Sequence, residues 1–381
     1  MPDHAHSSDT EVQAQLDRLA ALSPGRDILG LERIAELCAR LGNPQNQLPR
    51  VFHVAGTNGK GSTCAYLRAI LEAQGRRVHS YTSPHLVRFN ERIRLAGKLI
   101  DDALLAALLE EVLDVAADLQ ASFFEVTTAA AFLAFARIPA DDCIIEVGLG
   151  GRLDATNIIP ASAVCGIASL GIDHEAFLLA PEEGVPAEAI ERIAWEKTGI
   201  FKRGAALVTL AYPENVTKLV RDRAAAVGGL LFSEADGWTV MPEADGFRWQ
   251  SERGSIEPTL RSRMAGWHQM RNAGLAIAML RSAADPQPSD HVGAHAHPQV
   301  DDVVQRVGLD ERARQAGQVG RSRVGHALRD QPVAEQQHGA RPKGYFLAAA
   351  QTPVDEQAHS GTIDASGHGT LTCRSSKDRP L

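Results

Sequence analysis

Residues 56–63 read Gly-Thr-Asn-Gly-Lys-Gly-Ser-Thr, after the apolar run Val51–Ala55 and before a helical pattern that Gly75 stops. A lysine between glycines at a strand-to-helix junction is a set of parts for gripping phosphate. Helix N-terminal N–H groups present positive dipole, glycine lets an anion approach the backbone, and lysine adds a full charge. The common spacing GxxxxGK[ST] is not met strictly, because Val54 holds the first glycine position and Gly61 separates Lys60 from Ser62. A plain glycine-rich turn is the alternative, and the flanking strand and helix argue against it.

Three more stretches with chemical potential fall at the ends of predicted strands. "YTSPHLVRFNERIR" (81–94) offers Ser83 at a turn with Pro84, then Asn90, Glu91 and Arg92; a polar surface loop is the other reading. "IIEVGLGGRLDATN" (144–157) sets Glu146 inside an apolar strand. A buried carboxylate needs a compensating cation, either a magnesium–nucleotide or an ion pair with Arg152 or Lys60. "LGIDH" (170–174) ends in Asp173 and His174, and the histidine is either a metal-linked group or a structural one.

These groups need a scaffold that gathers strand ends. Helices are predicted over 11–22 and 31–41, with "SPGRDILG" as a loop, and strands over 51–55 and 78–82. Asp101 and Asp102 suit the cap of a helix to about 119, and 124–137 reads as a buried helix. Short apolar runs at 143–151, 163–171 and 205–211 read as interior parallel strands, with helices at 187–198 and 215–227 between and after them. The fold class is therefore α/β, a doubly wound and mostly parallel sheet with ligands at the C-terminal strand ends. Residues 230–262 form a small hairpin excursion, and 267–283 a closing helix.

Composition narrows the field further. The chain has 381 residues, long enough for roughly two domains. A net charge of -8 argues against a general nucleic-acid partner, which would want a basic face. Five scattered cysteines without a CxxC pair give no disulfide framework and no zinc knuckle. No apolar signal core or membrane-spanning run is present, so a cytoplasmic location and no membrane partner are expected.

Seven stretches carry a family resemblance in order and spacing: "HVAGTNGKGST", "TSPHLVRFNERIR", "FFEVTTAAAF", "EVGLGGRLDATN", "LGIDHEAFL", "EKTGIFK" and "GWHQMRNAGLAIAML". Together, over about 15–283, they resemble folylpolyglutamate synthase/dihydrofolate synthase, a branch of the Mur-ligase-like amide ligases. The resemblance implies a Mur-ligase-like central domain over 1–283. It implies an ATP-dependent ligase, a monomer, that adds L-glutamate to dihydropteroate or to folates such as tetrahydrofolate through an acyl phosphate, with ATP and Mg2+. By the same resemblance Gly56, Thr57, Asn58, Gly59, Lys60, Gly61 and Ser62 hold phosphates, and Lys60 stabilises the transferred group. Ser83, Glu146 and His174 match magnesium ligands, and Lys197 matches a lysine that becomes carbamylated. His268, Gln269 and Asn272 match the HQxxNA helix, whose asparagine contacts ATP. Residues 27–33, Phe124, Arg152, Leu153, Asp154 and Ala155 match the pterin surroundings, although Phe124 also suits the core and Asp154 also suits a turn cap.

From residue 284 the pattern departs. Half of the fourteen histidines lie there, among many Gln, Arg, Gly and Pro. Within 284–381 the "PGR" and "DGAHNP" patterns of such enzymes' second domain do not occur, and "VGAHAHP" (292–298) lacks the aspartate. Residues 284–381 read as an atypical region, a disordered segment or the product of a reading-frame change. Two alternatives to an active folate ligase follow: a nucleotide- or pterin-binding remnant that does not turn over, and another Mur-type amide ligase.

Overall fold

The apolar run at 51–55 becomes β1 (Arg50–Ala55), which is buried on both faces and lies in the middle of an eight-stranded sheet. Along the chain follow β2 (Val78–Tyr81), β3 (Ile93–Leu95), β4 (Lys98–Leu99), β5 (Asp142–Glu146), β6 (Val164–Ile167), β7 (Ala206–Thr209) and β8 (Leu230–Ser233). Their order is β4-β3-β2-β5-β1-β6-β7-β8. The six strands from β2 to β8 run parallel, and β3 and β4 add an antiparallel edge. The chain fills one side of β1 with β2 and β5 and then crosses to β6 on the other. That switch opens a crevice at the C-terminal end of β1.

The computed structural model describes residues 5–22 and 29–284, except 235, 245, 253 and 261–263. All of these fall in one compact unit, Met1–Gly325. Asp27 and Ile28, and the atypical region beyond Ala284, lie outside the described residues.

Helices cover both faces, because alternate residues of each interior strand are apolar. On one face α1 (Thr10–Leu22), α2 (Glu32–Arg40), α4 (Asp102–Ala116) and α5 (Phe123–Arg137) pack over Val51, Tyr81, Cys143 and Ile145. Farther along that face α7 (Ala189–Thr198) and α8 (Glu214–Ala226) cover Cys165, Ile167 and Leu207, after a short α6 (Glu175–Leu178). The opposite face carries α3 (Lys60–Ala73) and α9 (Trp267–Ala284) against Phe52, Val54, Ile144 and Val208.

The expected doubly wound sheet is present, with local differences. The predicted strand at 143–151 stops at Glu146, because Gly148–Gly151 turn away from the sheet. The excursion at 230–262 divides: β8 is an edge of the main sheet, and β9 (Trp238–Glu243), β10 (Gly246–Ser251) and β11 (Gly254–Leu260) form a separate antiparallel meander. That meander clamps α9, where Trp249 Nε1 donates to Gly274 O at 3.1 Å. Strands β3 and β4 were not anticipated, since three and two residues show no alternation to read. Two caps act as local chemistry dictates: Asp101 accepts from Leu104 N, and Ser122 and Glu125 form a capping box at α5.

Candidate functional site

β1 runs out of the sheet into Gly56, whose Cβ, if it had one, would lie 2.8 Å from Ala168 Cβ. Only glycine lets β1 and the end of β6 approach this closely. Thr57 N and Asn58 N donate to Ser169 O at 2.8 and 3.3 Å. The Thr57 hydroxyl donates to Gly171 O at 2.8 Å and accepts from Gly171 N at 3.1 Å. The run 56–62 is therefore two devices. Its first half is laced to the loop after β6, so the Thr57 and Asn58 amides are already taken. The amides of Gly59, Lys60, Gly61 and Ser62 have no acceptor among the described residues. They are the orphan donors of the first turn of α3, and such donors suit an anion. Lys60 Nζ donates to Gly56 O at 3.1 Å, bridging the two halves.

Across β1 the register pairs Val54 with Glu146. Glu146 is 4% exposed, and its Oε2 accepts from Ser83 N at 3.2 Å. Among the described residues it makes no ion pair. Arg152 is committed elsewhere, and Lys60 acts only through its field. Burial pushes the Glu146 carboxyl up to about 7, with Lys60 pulling the other way. A buried carboxylate with one weak donor, near four free amides, would suit a cation that also holds phosphate oxygens. That donor set suits magnesium, which takes one or two carboxylates plus phosphate.

The structure brings Ser83 to Glu146 but does not bring His174 to either. His174 sits at φ 51° on an exposed loop, with Nε2 3.6 Å from Asp173 Oδ2. Among the described residues no three His, Cys, Asp or Glu side chains converge on one point.

Lys197, in the last turn of α7, is 4% exposed and without a hydrogen-bond partner among the described residues. Burial lowers its amine to about 8; Lys60 adds to the effect, and Asp173 and Asp154 oppose it. Next to it Glu196 forms ion pairs with Arg152 at 3.0 Å and Arg192 at 3.2 Å, and Glu182 joins both arginines at 2.6 and 2.8 Å. Arg152 is thus a structural clamp, and its loop is seated directly on the end of α7: Arg152 N donates to Glu196 O at 2.7 Å.

Asp154 caps the turn at 155–158, accepting from Leu149 N, Thr156 N and Thr156 Oγ1 at 2.9, 3.0 and 2.5 Å. Leu153 is half-buried and Ala155 buried. Phe124 lies over the backbone of Gly148, where any Cβ would overlap its ring, with its centroid 5.9 Å from that of Tyr81. Of the residues 27–33, Arg33 is described in contact, donating to Glu125 at 3.1 Å.

On the far side of the loop Asn272 is buried, and a Cβ on Gly59 would overlap its Oδ1. Its Nδ2 donates to Gln269 Oε1 at 3.2 Å. A cavity of about 310 Å³ opens there, lined by Asn58, Gly59, Ser62, Ser169, Gln269 and Asn272 among others, with exposed His268 at its edge. Ser169 and Gly171 were missed by the sequence reading. Their signal is positional, the end of the strand next to β1, and it is readable only once β6 is known to be that strand.

No family model matches the chain. It is 38% identical over 261 residues to dihydrofolate synthase/folylpolyglutamate synthase of Bacillus subtilis, covering 65% of this chain and 58% of that one. Dihydrofolate synthetase of Saccharomyces cerevisiae is 40% identical over 209 residues, 53% of this chain and 47% of its own. A bifunctional folylpolyglutamate synthase/dihydrofolate synthase solved with Mn, AMPPNP and L-glutamate bound superposes with a TM-score of 0.63, at 31% identity over 80% of this chain and 68% of that chain. The chain belongs to the folylpolyglutamate synthase/dihydrofolate synthase family. E. coli FolC in complex with DHPP and ADP matches with a TM-score of 0.66, at 32% identity, over 78% of this chain and 66% of its own. The chain therefore spans 58% and 47% of the lengths of the two sequence relatives named here.

Proposed function

We propose that this chain is an ATP-dependent ligase that joins L-glutamate to dihydropteroate or to a folate. The observation that carries the reading is the set of four free amides at the start of α3 beside the buried carboxylate of Glu146. In this reading the Gly59–Ser62 amides and Lys60 hold the phosphates of ATP, while Glu146 and Ser83 hold Mg2+. The metal supplies positive charge against the negative charge that grows on phosphoryl oxygens during transfer.

A substrate carboxylate oxygen attacks the γ-phosphorus, ADP leaves, and the acyl phosphate presents a far better leaving group than oxide. The amine of glutamate then attacks the acyl carbon, loses its proton and expels phosphate. Lys60 neutralises the transferred group, and Asn272 with Gln269 and His268 borders the rest of the nucleotide. Phe124 and the loop Arg152–Ala155 border the pterin. Lys197, with its lowered amine, carries the carbamate, and His174 reaches the metal only if its loop rearranges on binding. Residues 1–283 form the ATP-binding domain, and the chain acts as a monomer.

The test is phosphate release with ATP, Mg2+, dihydropteroate and L-glutamate. Release that requires both organic substrates and vanishes in Lys60→Ala supports the reading; unaltered release in that variant sinks it. A second reading, binding without turnover, draws on the missing "PGR" and "DGAHNP" patterns in 284–381. It predicts ADP binding with no phosphate release under any substrate combination.

A further inference from the structure

Below the site a line of buried polar groups runs from the middle of β1 to Asp154. His53 is fully buried, and its Nε2 lies 2.9 Å from Thr156 Oγ1. Thr156, also fully buried, donates its hydroxyl to Asp154 Oδ1 at 2.5 Å. A hydroxyl has one proton, so its oxygen can only accept from His53, which fixes the proton on Nε2 and leaves Nδ1 bare. His53 Nδ1 has no partner among the described residues. An unpaired acceptor in the core costs stability, and a purely structural contact would not explain why a histidine stands there rather than an apolar residue.

The far end of the line explains it. Asp154 is 2% exposed, yet its charge reaches Lys60, Lys197, Glu146 and Tyr81. Burial raises its carboxyl above the usual carboxylate range, and three hydrogen bonds and Lys60 oppose that rise. Two of those three bonds come from Thr156, one from its amide and one from the hydroxyl whose proton His53 directs. Each of these donors stabilises the ionised carboxylate over the acid.

We propose that His53 and Thr156 are positioning residues that keep Asp154 ionised inside the site, a fixed negative charge that favours a divalent cation over a bare nucleotide anion. The cation preference rests on the site reading given above, whereas the relay itself does not. The charge lies in a region of low dielectric, where its effect on neighbouring ions is large.

Infrared difference spectra between each protein and its Asp154→Asn counterpart, at neutral pH, read the relay directly. The expected result is a carboxylate stretch for the wild type, a protonated carboxyl stretch for Thr156→Val, and the carboxylate again for Thr156→Ser, which keeps the hydroxyl. His53→Leu should shift the band in the direction of Thr156→Val. A carboxylate in Thr156→Val, or a protonated acid in the wild type, overturns the relay.

Calorimetric titration with Mn2+ alone and with ADP in chelator then reads the role. Asp154→Asn and Thr156→Val should bind Mn2+ roughly threefold to tenfold more weakly and metal-free ADP more tightly, an opposite-sign pair expected of one lost charge. A parallel loss of both affinities marks a structural role and overturns the charge assignment. If the wild type binds neither probe, the nucleotide site is what fails, and the infrared bands still decide the relay.

Discussion

A Cβ on Gly61 would lie 3.6 Å from Glu146 Oε2, so the first turn of α3 faces the carboxylate at the end of β5. The carboxylate is buried, and Ser83 N is its one donor among the described residues. Replacing Glu146 by Gln should therefore stabilise the apo protein while abolishing stabilisation by Mg2+. Burial raises Glu146 from 4.5 to about 7, so the folded state holds its proton more tightly than the unfolded one. The contribution of Glu146 to stability is greatest below pH 4.5, falls as pH rises toward about 7 and is level above, an upper bound of roughly 3 kcal/mol. Thermal scans of wild type and Glu146→Gln should separate across that window, with the variant higher at alkaline pH. Divalent-metal affinity should move the opposite way, rising with pH to about 7 and then levelling.

Lys197 gives a second pH-dependent signal. Its amine titrates near 8 instead of 10.5, so at pH 8 about half is neutral, against roughly one part in three hundred for an ordinary lysine. Only the neutral amine attacks carbon dioxide. Bicarbonate labelled with carbon-13 should give a carbamate resonance that grows as pH rises through 8 and is missing in Lys197→Arg. A wild-type spectrum identical to that of the variant would remove the carbamate from the proposed mechanism.

Gly59 and Asn272 make a steric prediction. Gly59 has φ +84°, and a Cβ there would overlap Asn272 Oδ1. Gly59→Ala should cost about 2 kcal/mol, about half from the left-handed backbone and half from displacing the carboxamide. Adding Asn272→Ala should return the steric part, a coupling that urea denaturation of the two single variants and the double variant would resolve. Strict additivity would mean that the two residues do not touch in solution.

The scaffold was legible because interior parallel strands and their helices leave strong periodic signals, as at 51–55 and 143–146. The strand–loop–helix junction at 55–60 was legible because glycine, lysine and serine occur between an apolar run and a helical pattern. Contacts between loops left no such trace. That Ser169 holds the Thr57 and Asn58 amides, or that Arg152 serves Glu196, depends on which strand lies beside which, and strand order is a three-dimensional fact. His53 was hidden for a similar reason: inside a strand its polarity reads as an exception, and Thr156 is 103 residues away. The register of β3 and β4 was beyond reach because strands so short take their place from neighbours.

The clamp behind Lys197 separates burial from contact count. Glu196 and Glu182 each join Arg152 and Arg192, but the Glu196 side chain is 3% exposed and that of Glu182 is 41% exposed. Removing the buried charge leaves Arg192, itself 6% exposed, with one partner at the rim of the network. Glu196→Gln should therefore cost roughly 3 kcal/mol, because an uncompensated buried charge is far more damaging than a lost surface pair. Glu182→Gln should cost less than about 1 kcal/mol, since water replaces much of what it supplies. Urea denaturation of both variants at neutral pH checks the ordering. Glu196 also opposes the lowering of the Lys197 amine, so Glu196→Gln should move the carbamate resonance to lower pH, whereas Glu182→Gln should leave it in place. Equal costs for the two substitutions would mean that the network is solvated throughout and does not hold the end of α7 in place.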